Sequence, residues 1–353
     1  MKKTTVKRIV SVAMLLALFV VVLGAYTRLT DAGLGCPDWP GCYGHMVLPS
    51  TEHGLTSAQM SYPAIPIEER KAWTEMAHRY VAGSLGLLIC FIVFTAFRKR
   101  FSGEDYPIKS AALLLLMLFF QAALGMWTVT MKLLPVVVMG HLLGGLTILS
   151  LLTWYRFSLN QQNQPQKKTL TRFPGKAGES SLDGPTVNLS KWFVLGAVIV
   201  FFQIALGGWV SSNYAGLACI GFPYCNGQLL PAMNFSQGFN FISSVGANHQ
   251  GGLLDSTARV TIQVVHRMGA VITVCYLIGL AITVLTKVSN ARLRKLASLS
   301  LMLVFTQFCL GIINVVDLLP LSIAVAHNGV AALLLATMIA MTVTYKQESS
   351  RAR

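Results

Sequence analysis

The stretch LFVVVLGAYTRLTDAGLGC (residues 18–36) returns as FFQIALGGWVSSNYAGLAC (residues 201–219), and this correspondence decides how the whole chain is organised. Each copy leaves an apolar run through a glycine, crosses a polar segment and ends at a cysteine. Two more pairs follow in the same order. MAHRYVAGSLGLLICFIV (76–93) faces VVHRMGAVITVCYLIGLA (264–281), and FFQAALGMWTVTMKLLPVVVMGHLLGGL (119–146) faces FTQFCLGIINVVDLLPLSIAVAHNGVAAL (305–333). The chain is therefore read as two related halves.

Composition states what kind of halves these are. Of the 353 residues 54% are hydrophobic and only 12% are charged, too apolar for a surface wetted all round. Runs of roughly 20 apolar residues, enough to cross about 30 Å of hydrocarbon, lie near 9–27, 76–97, 110–131, 135–155, 190–211, 261–286, 296–316 and 320–344. Four fall in each half. An even number of crossings returns the chain to its starting side, so the halves are expected to be parallel, related by an axis along the membrane normal. The expected fold is an all-α polytopic membrane protein of eight transmembrane helices, arranged as two tandem parallel four-helix bundles. The boundaries are 1–156, a Gln-, Ser- and Lys-rich cytoplasmic linker at 157–189, and 190–353. The apolar run after MKKTTVKRIV is too long for a signal-peptide core and has no small-residue cleavage site, so it is read as a retained helix.

A net charge of +15 invites a nucleic-acid reading, which the distribution of charge removes. With the N-terminus inside, the inner segments hold 21 of the 28 Lys and Arg and five of the thirteen acids. They carry +16 against −1 for the outer ones. This is the positive-inside pattern with both termini cytoplasmic, and the partner it implies is the lipid bilayer.

Seven histidines occur. His45, His53 and His249 fall in outer loops, where solvation is the ordinary state. His78, His141, His266 and His327 stand one on each even-numbered span, within about the first two turns and at one depth near the outer surface. A single intramembrane histidine is usually a packing residue. Four in two matching pairs argue for ligation, because ionisable groups in hydrocarbon are costly and neutral imidazole is an axial ligand of haem iron. Facing helices of a four-helix bundle can hold such a group, giving one haem-sized site per half. The odd-numbered spans carry Gly24, Gly125, Gly207 and Gly311, three of them four residues after Gln121, Gln203 and Gln307. These glycines are read either as packing contacts or as a surface for a flat cofactor.

Arg79 and Arg267 each follow a histidine. A cation near a helix N-terminus opposes the macrodipole, so an anion is expected beside each, a haem propionate or a lipid phosphate. The halves differ at one acidic position. Glu75 stands one turn before His78, and Gln263 replaces it before His266. A carboxylate beside a haem face suits acid–base chemistry, so the first half is the candidate for catalysis and the second for a permanent haem. The outer pairs Cys36/Cys42 and Cys219/Cys225 lie where disulfides persist. Pairing within each loop would either stiffen a lid or exchange with a redox partner. Cys90, Cys275 and Cys309 are read as inert packing inside helices.

GAYTRLTDAGLGC, EMAHRYVAG, GHLLGGL, VVHRMGA and AHNGVAA, in this order, resemble the landmarks of the haem A synthase family along nearly the whole chain. The resemblance implies oxidation of a ring methyl of haem O to a formyl group, giving haem A for cytochrome oxidase, in a bacterial inner membrane with the haem sites toward the periplasm. It implies that His78 and His141 bracket haem O, that His266 and His327 ligate haem b, and that Glu75 is catalytic. Oxygen would come from water and electrons would leave through haem b. Haem O synthase, oxidase assembly factors and an unassigned electron acceptor are the implied partners, and a homo-oligomer is compatible with it. The first outer loop, about 49 residues, and the linker are long for the family. A dihaem cytochrome explains the histidines but leaves Glu75 idle. A parallel-repeat transporter explains the symmetry but lacks broken helices. A thiol oxidase would use the cysteines alone.

Overall fold

A computed structural model describes residues 3–104, 106–159, 189–242 and 245–352. Its helices are α1 (Lys3–Leu29), α2 (Glu52–Ser61), α3 (Glu69–Phe101), α4 (Ile108–Thr130), α5 (Pro135–Ser158), α6 (Ser190–Ser212), α7 (Phe235–Gly238), α8 (Ser256–Lys287), α9 (Ala291–Val316) and α10 (Leu321–Ala352). All but the short α2 and α7 are long and apolar enough to cross a membrane, eight in total, and they coincide with the eight expected spans. Among the described residues there is no strand, only isolated bridges at Cys42/His45 and Cys225/Gln228. Residues 160–188, the bulk of the expected linker, lie outside the described residues.

Helix ends depart from the hydropathy reading for a physical reason. α3 starts seven residues before the apolar run and α8 five before. Polar first turns escape a hydropathy window yet still form backbone hydrogen bonds. At the rise of an α-helix, α3 is roughly 50 Å long and runs well past the hydrocarbon. The Asp255 carboxylate caps α8 by accepting from the Ala258 amide at 2.8 Å. Such a bond is the usual N-cap arrangement, and it holds the Asp255 carboxyl below the usual range. His78 and His266 consequently sit nine and ten residues after their helix starts, deeper than two turns, while His141 and His327 are each six residues in.

Contacts close each half into a ring: α1–α3–α4–α5 and α6–α8–α9–α10, with α1, α5, α6 and α10 forming the seam between them. Near one end of this seam Arg28 Nη2 donates to the Ser211 carbonyl (2.7 Å) and the Tyr214 hydroxyl donates to Asp31 Oδ1 (2.9 Å). Both pairs are equivalent positions of the repeat, 183 residues apart, which is where a two-fold relation brings a residue against its own copy. The Arg28 guanidinium also lies 4.1 Å over the Tyr214 ring, a cation–π contact. At the other end of the seam Gln347 Nε2 of α10 donates to the Phe157 carbonyl of α5, while Arg156 Nε donates to Ser11 within the first half, both 2.8 Å. One cluster of buried apolar residues runs through both rings, whereas Leu15, Phe94, Phe119, Phe202 and Phe305 point outward as lipid-facing residues do. Cys90 and Cys275 share that outward face, which corrects their reading as packing residues, although both do lie inside helices.

The long loop before α3 is a folded lid. Cys36, Cys42, Tyr43 and Leu48 bury against Ala58 of α2 and Ala72 and Met76 of α3. Tyr43 donates its hydroxyl to the Pro66 carbonyl at 3.0 Å. Burial, then the charges of Glu68, Asp38 and Glu75, push its phenol above the ordinary range, so it stays a neutral donor. His249, expected to be solvated, is buried, and its backbone N–H donates to the Lys132 carbonyl (3.1 Å), tying the second lid to the α4–α5 turn.

Candidate functional site

Each intramembrane histidine sits in a notch made by a glycine on the spanning helix before it. A Cβ on Gly24, Gly125, Gly207 or Gly311 would fall 3.0, 3.2, 3.1 or 3.2 Å from Cε1 of His78, His141, His266 or His327. The repeated glycines therefore seat imidazole rings, a role that neither generic packing nor a flat cofactor anticipated. Replacing Gly207 with alanine is expected to crowd His266, whose ring Gln203 already holds, and overpacking of this kind costs about 1–3 kcal/mol. A lowered melting temperature in detergent, with weaker haem retention, is the result to look for. An unchanged melt would mean the ring yields freely.

In the first half the His78 and His141 rings have centroids 6.5 Å apart and planes 75° apart. A metal bound at about 2.0–2.1 Å by one nitrogen of each imidazole sets the ring centres roughly 6 Å apart, so the two rings are far enough apart to admit one ion between them. Among the described residues no group of three or more His, Cys, Asp or Glu is placed to hold a metal. A metal here would need a macrocycle to supply its other donors, which haem does. The rings border a cavity of about 590 Å³, within the usual size of cofactor sites. Nδ1 of His78, His141 and His327 is buried without a hydrogen-bond partner, costly for rings that only pack. These residues fit a haem. The cavity reaches the other half, because Gly208 and Ser211 of α6 and Asn328 of α10, beside His327, share its wall.

Glu75 borders the same cavity and is only 5% exposed. Its Oε2 accepts the Cys36 amide at 2.9 Å, and its Oε1 pairs with Arg79. Arg79 also donates to the carbonyls of Asp38 (3.0 Å), Pro40 (3.3 Å) and Gly41. In the second half Arg267 donates to the carbonyls of Gly221 (3.0 Å), Tyr224 (3.2 Å) and Cys219. Both arginines are met by the carbonyl oxygens of their disulfide loops, joined in the first half by Glu75. The arginines clamp lids onto helices. Gln263, also 5% exposed, donates to the Gly216 carbonyl (3.4 Å) and leaves its own oxygen unpaired. The two halves therefore differ by one buried negative charge at this position.

Disulfides join Cys36 to Cys42 and Cys219 to Cys225, each with Cα atoms 4.8 Å apart. All four cysteines are buried, at most 3% exposed, which suits a brace better than thiol exchange with a partner. Sequence reasoning missed the hold of the Cys36 amide on Glu75 and the meeting of Arg28, Asp31 and Tyr214. The second had a visible signal in YTRLTD, whose charged residues have no charged counterpart in WVSSNY.

Comparison with known proteins gives the family. The COX15-CtaA family model, described as cytochrome oxidase assembly protein, matches residues 7–339. A protein of Shewanella oneidensis named Heme A synthase is 43% identical over 334 residues, 95% of this chain and 94% of its own length. Proteins of the same name from a Chelativorans species and from Alkalihalophilus pseudofirmus are 28% and 27% identical, covering 91% and 94% of this chain and 86% and 94% of their own. A match over nearly all of both rings leaves one conclusion: the chain belongs to the cytochrome oxidase assembly protein family, COX15-CtaA.

Proposed function

We propose that this protein is a haem A synthase, with haem O bound between His78 and His141 and a resident haem b between His266 and His327. The observation that carries this reading is a histidine pair spaced to admit one ion beside a buried carboxylate in one half, and a second histidine pair with glutamine in place of that carboxylate in the other. Side chains cannot take up the four electrons released when a methyl becomes a formyl group, so the bound haem supplies the redox chemistry.

The remaining tasks belong to the chain. His78 and His141 orient the substrate ring. Glu75, fixed by the Cys36 amide and Arg79, receives a proton as the methyl is oxidised or steers the water that brings the oxygen. The lids brace that carboxylate through Cys36 and limit access from the loop end. The second half passes electrons to an acceptor outside the chain, and the wall shared at Asn328 keeps the two sites close. The positive-inside bias supports a position of both haem sites toward the periplasmic side of a bacterial inner membrane. Haem O synthase and oxidase assembly factors would be neighbours in that pathway.

The test is haem extraction from a strain lacking this gene, with and without the gene restored. Haem A is expected only with the gene, and haem O accumulates without it. Haem A in the null strain would overturn the proposal.

A further inference from the structure

The glutamines four residues before the seat glycines break the symmetry of the repeat. That spacing stacks each glutamine and glycine on one helix face, one turn apart. In the second half both imidazoles are engaged at a ring nitrogen: Gln203 Nε2 lies 3.1 Å from His266 Nδ1, and Gln307 Nε2 lies 3.1 Å from His327 Nε2. Gln203 also donates to the His266 carbonyl at 2.9 Å. In the first half, among the described residues, no glutamine side chain reaches a ring nitrogen, although the His141 ring faces the Gln121 backbone. Gln121 reaches only the His141 carbonyl (2.9 Å), and the position four residues before Gly24 is Val20, an apolar part of the cavity wall. The His78 imidazole has no hydrogen-bond partner among the described residues, and its Nδ1 is buried.

Resting on the function proposed above, we infer that this pattern separates a locked haem site from an exchangeable one. Gln203 and Gln307 are positioning residues that fix the two ligands of the resident haem. Val20 marks where that lock is omitted, so His78 is the ligand that lets the tetrapyrrole enter and leave while His141 keeps its backbone tether.

The physical ground is the proton on the imidazole nitrogen that does not bind metal. That nitrogen needs an acceptor, and a fixed one holds both the tautomer and the ring plane, typically worth about 10–100-fold in metal affinity. The side-chain oxygens of Gln203 and Gln307 are buried without partners, and half a turn of either amide presents one to its ring, a turn that in Gln203 also gives up the bond to the His266 carbonyl. Val20 can offer nothing of the kind. The His78 ring sits against Gly24 and would break no side-chain hydrogen bond in turning away. A substrate that must depart as product requires such a ligand, and a permanent cofactor requires the opposite.

The test uses the full chain purified in detergent and loaded with haem O, with apomyoglobin in excess as haem acceptor. Installing the missing lock with Val20→Gln is expected to slow transfer from the first half about tenfold. Gln203→Leu and Gln307→Leu are expected to speed release of the resident haem about tenfold and to shift its low-spin electron paramagnetic resonance signal. Gln203→Glu, which keeps an acceptor, is expected to restore both. Unchanged transfer in Val20→Gln together with an unshifted signal in the leucine variants overturns the inference, and a folded, haem-binding wild type in the same experiment leaves the proposed function standing. A wild type that takes up no haem overturns both.

Discussion

Glu75→Gln is expected to cut formation of haem A by about 10²–10⁴-fold, the range set by loss of a general acid or base, while both haem sites still fill. The repeat itself argues that the substitution is tolerated, because Gln263 stands at the equivalent position, equally buried, in the second half. A glutamine oxygen can go on accepting from the Cys36 amide, and Arg79 keeps its bonds to the Asp38, Pro40 and Gly41 carbonyls. What disappears is the negative charge and the capacity to take a proton. Losing one partner of a buried ion pair costs stability as well, so the variant is to be compared at equal folded amounts, judged by its low-spin absorption bands. The measurement is the ratio of haem A to haem O extracted from the membranes. A wild-type ratio with normal bands would remove Glu75 from the chemistry and reduce it to a strut between lid and helix.

Much of this architecture was legible in the sequence because it is written in local or periodic signals. Eight apolar runs fix eight helices, and the match of residues 18–36 to 201–219 fixes their grouping. Four histidines, at corresponding places in the two halves, mark two matching pairs. What was illegible depends on which side chain meets which across space. Arg79 and Arg267 read as anion partners because a cation near a helix start is unfavourable by itself. The carbonyl oxygens that the lids bring to both arginines come from residues some 40 positions away in sequence, and no local signal states that contact. The seat glycines looked like packing glycines because their neighbour is a side chain on another helix, and no spacing within one helix states that. His249 looked solvated because it lies in a polar loop, and only docking of that loop on the α4–α5 turn buries it. The helix starts at Glu69 and Ser256 were hidden because hydropathy reports lipid contact, not hydrogen bonding.

His266→Ala is expected to remove the resident haem and, with it, conversion in the first half. His78→Ala is expected to stop conversion while the resident haem stays. The two histidines hold equivalent seats, against Gly207 and Gly24, so steric damage from the two substitutions is comparable and the contrast reports function. In His266→Ala the Gln203 amide still has the backbone carbonyl of residue 266 to bind but loses the ring it orients, and the proposed haem site would keep one imidazole, on His327. A single axial ligand without its partner gives a high-spin, weakly retained haem. Electrons released in the first half then have no carrier across the wall at Asn328. The checks are pyridine haemochrome content per chain, the reduced low-spin bands, and the extracted haem A to haem O ratio. Retention of a normal low-spin resident haem in His266→Ala would remove that residue from the ligand set. Continued haem A formation without the resident haem would mean that electrons leave the first half by another route, and the second half would then be a structural partner only.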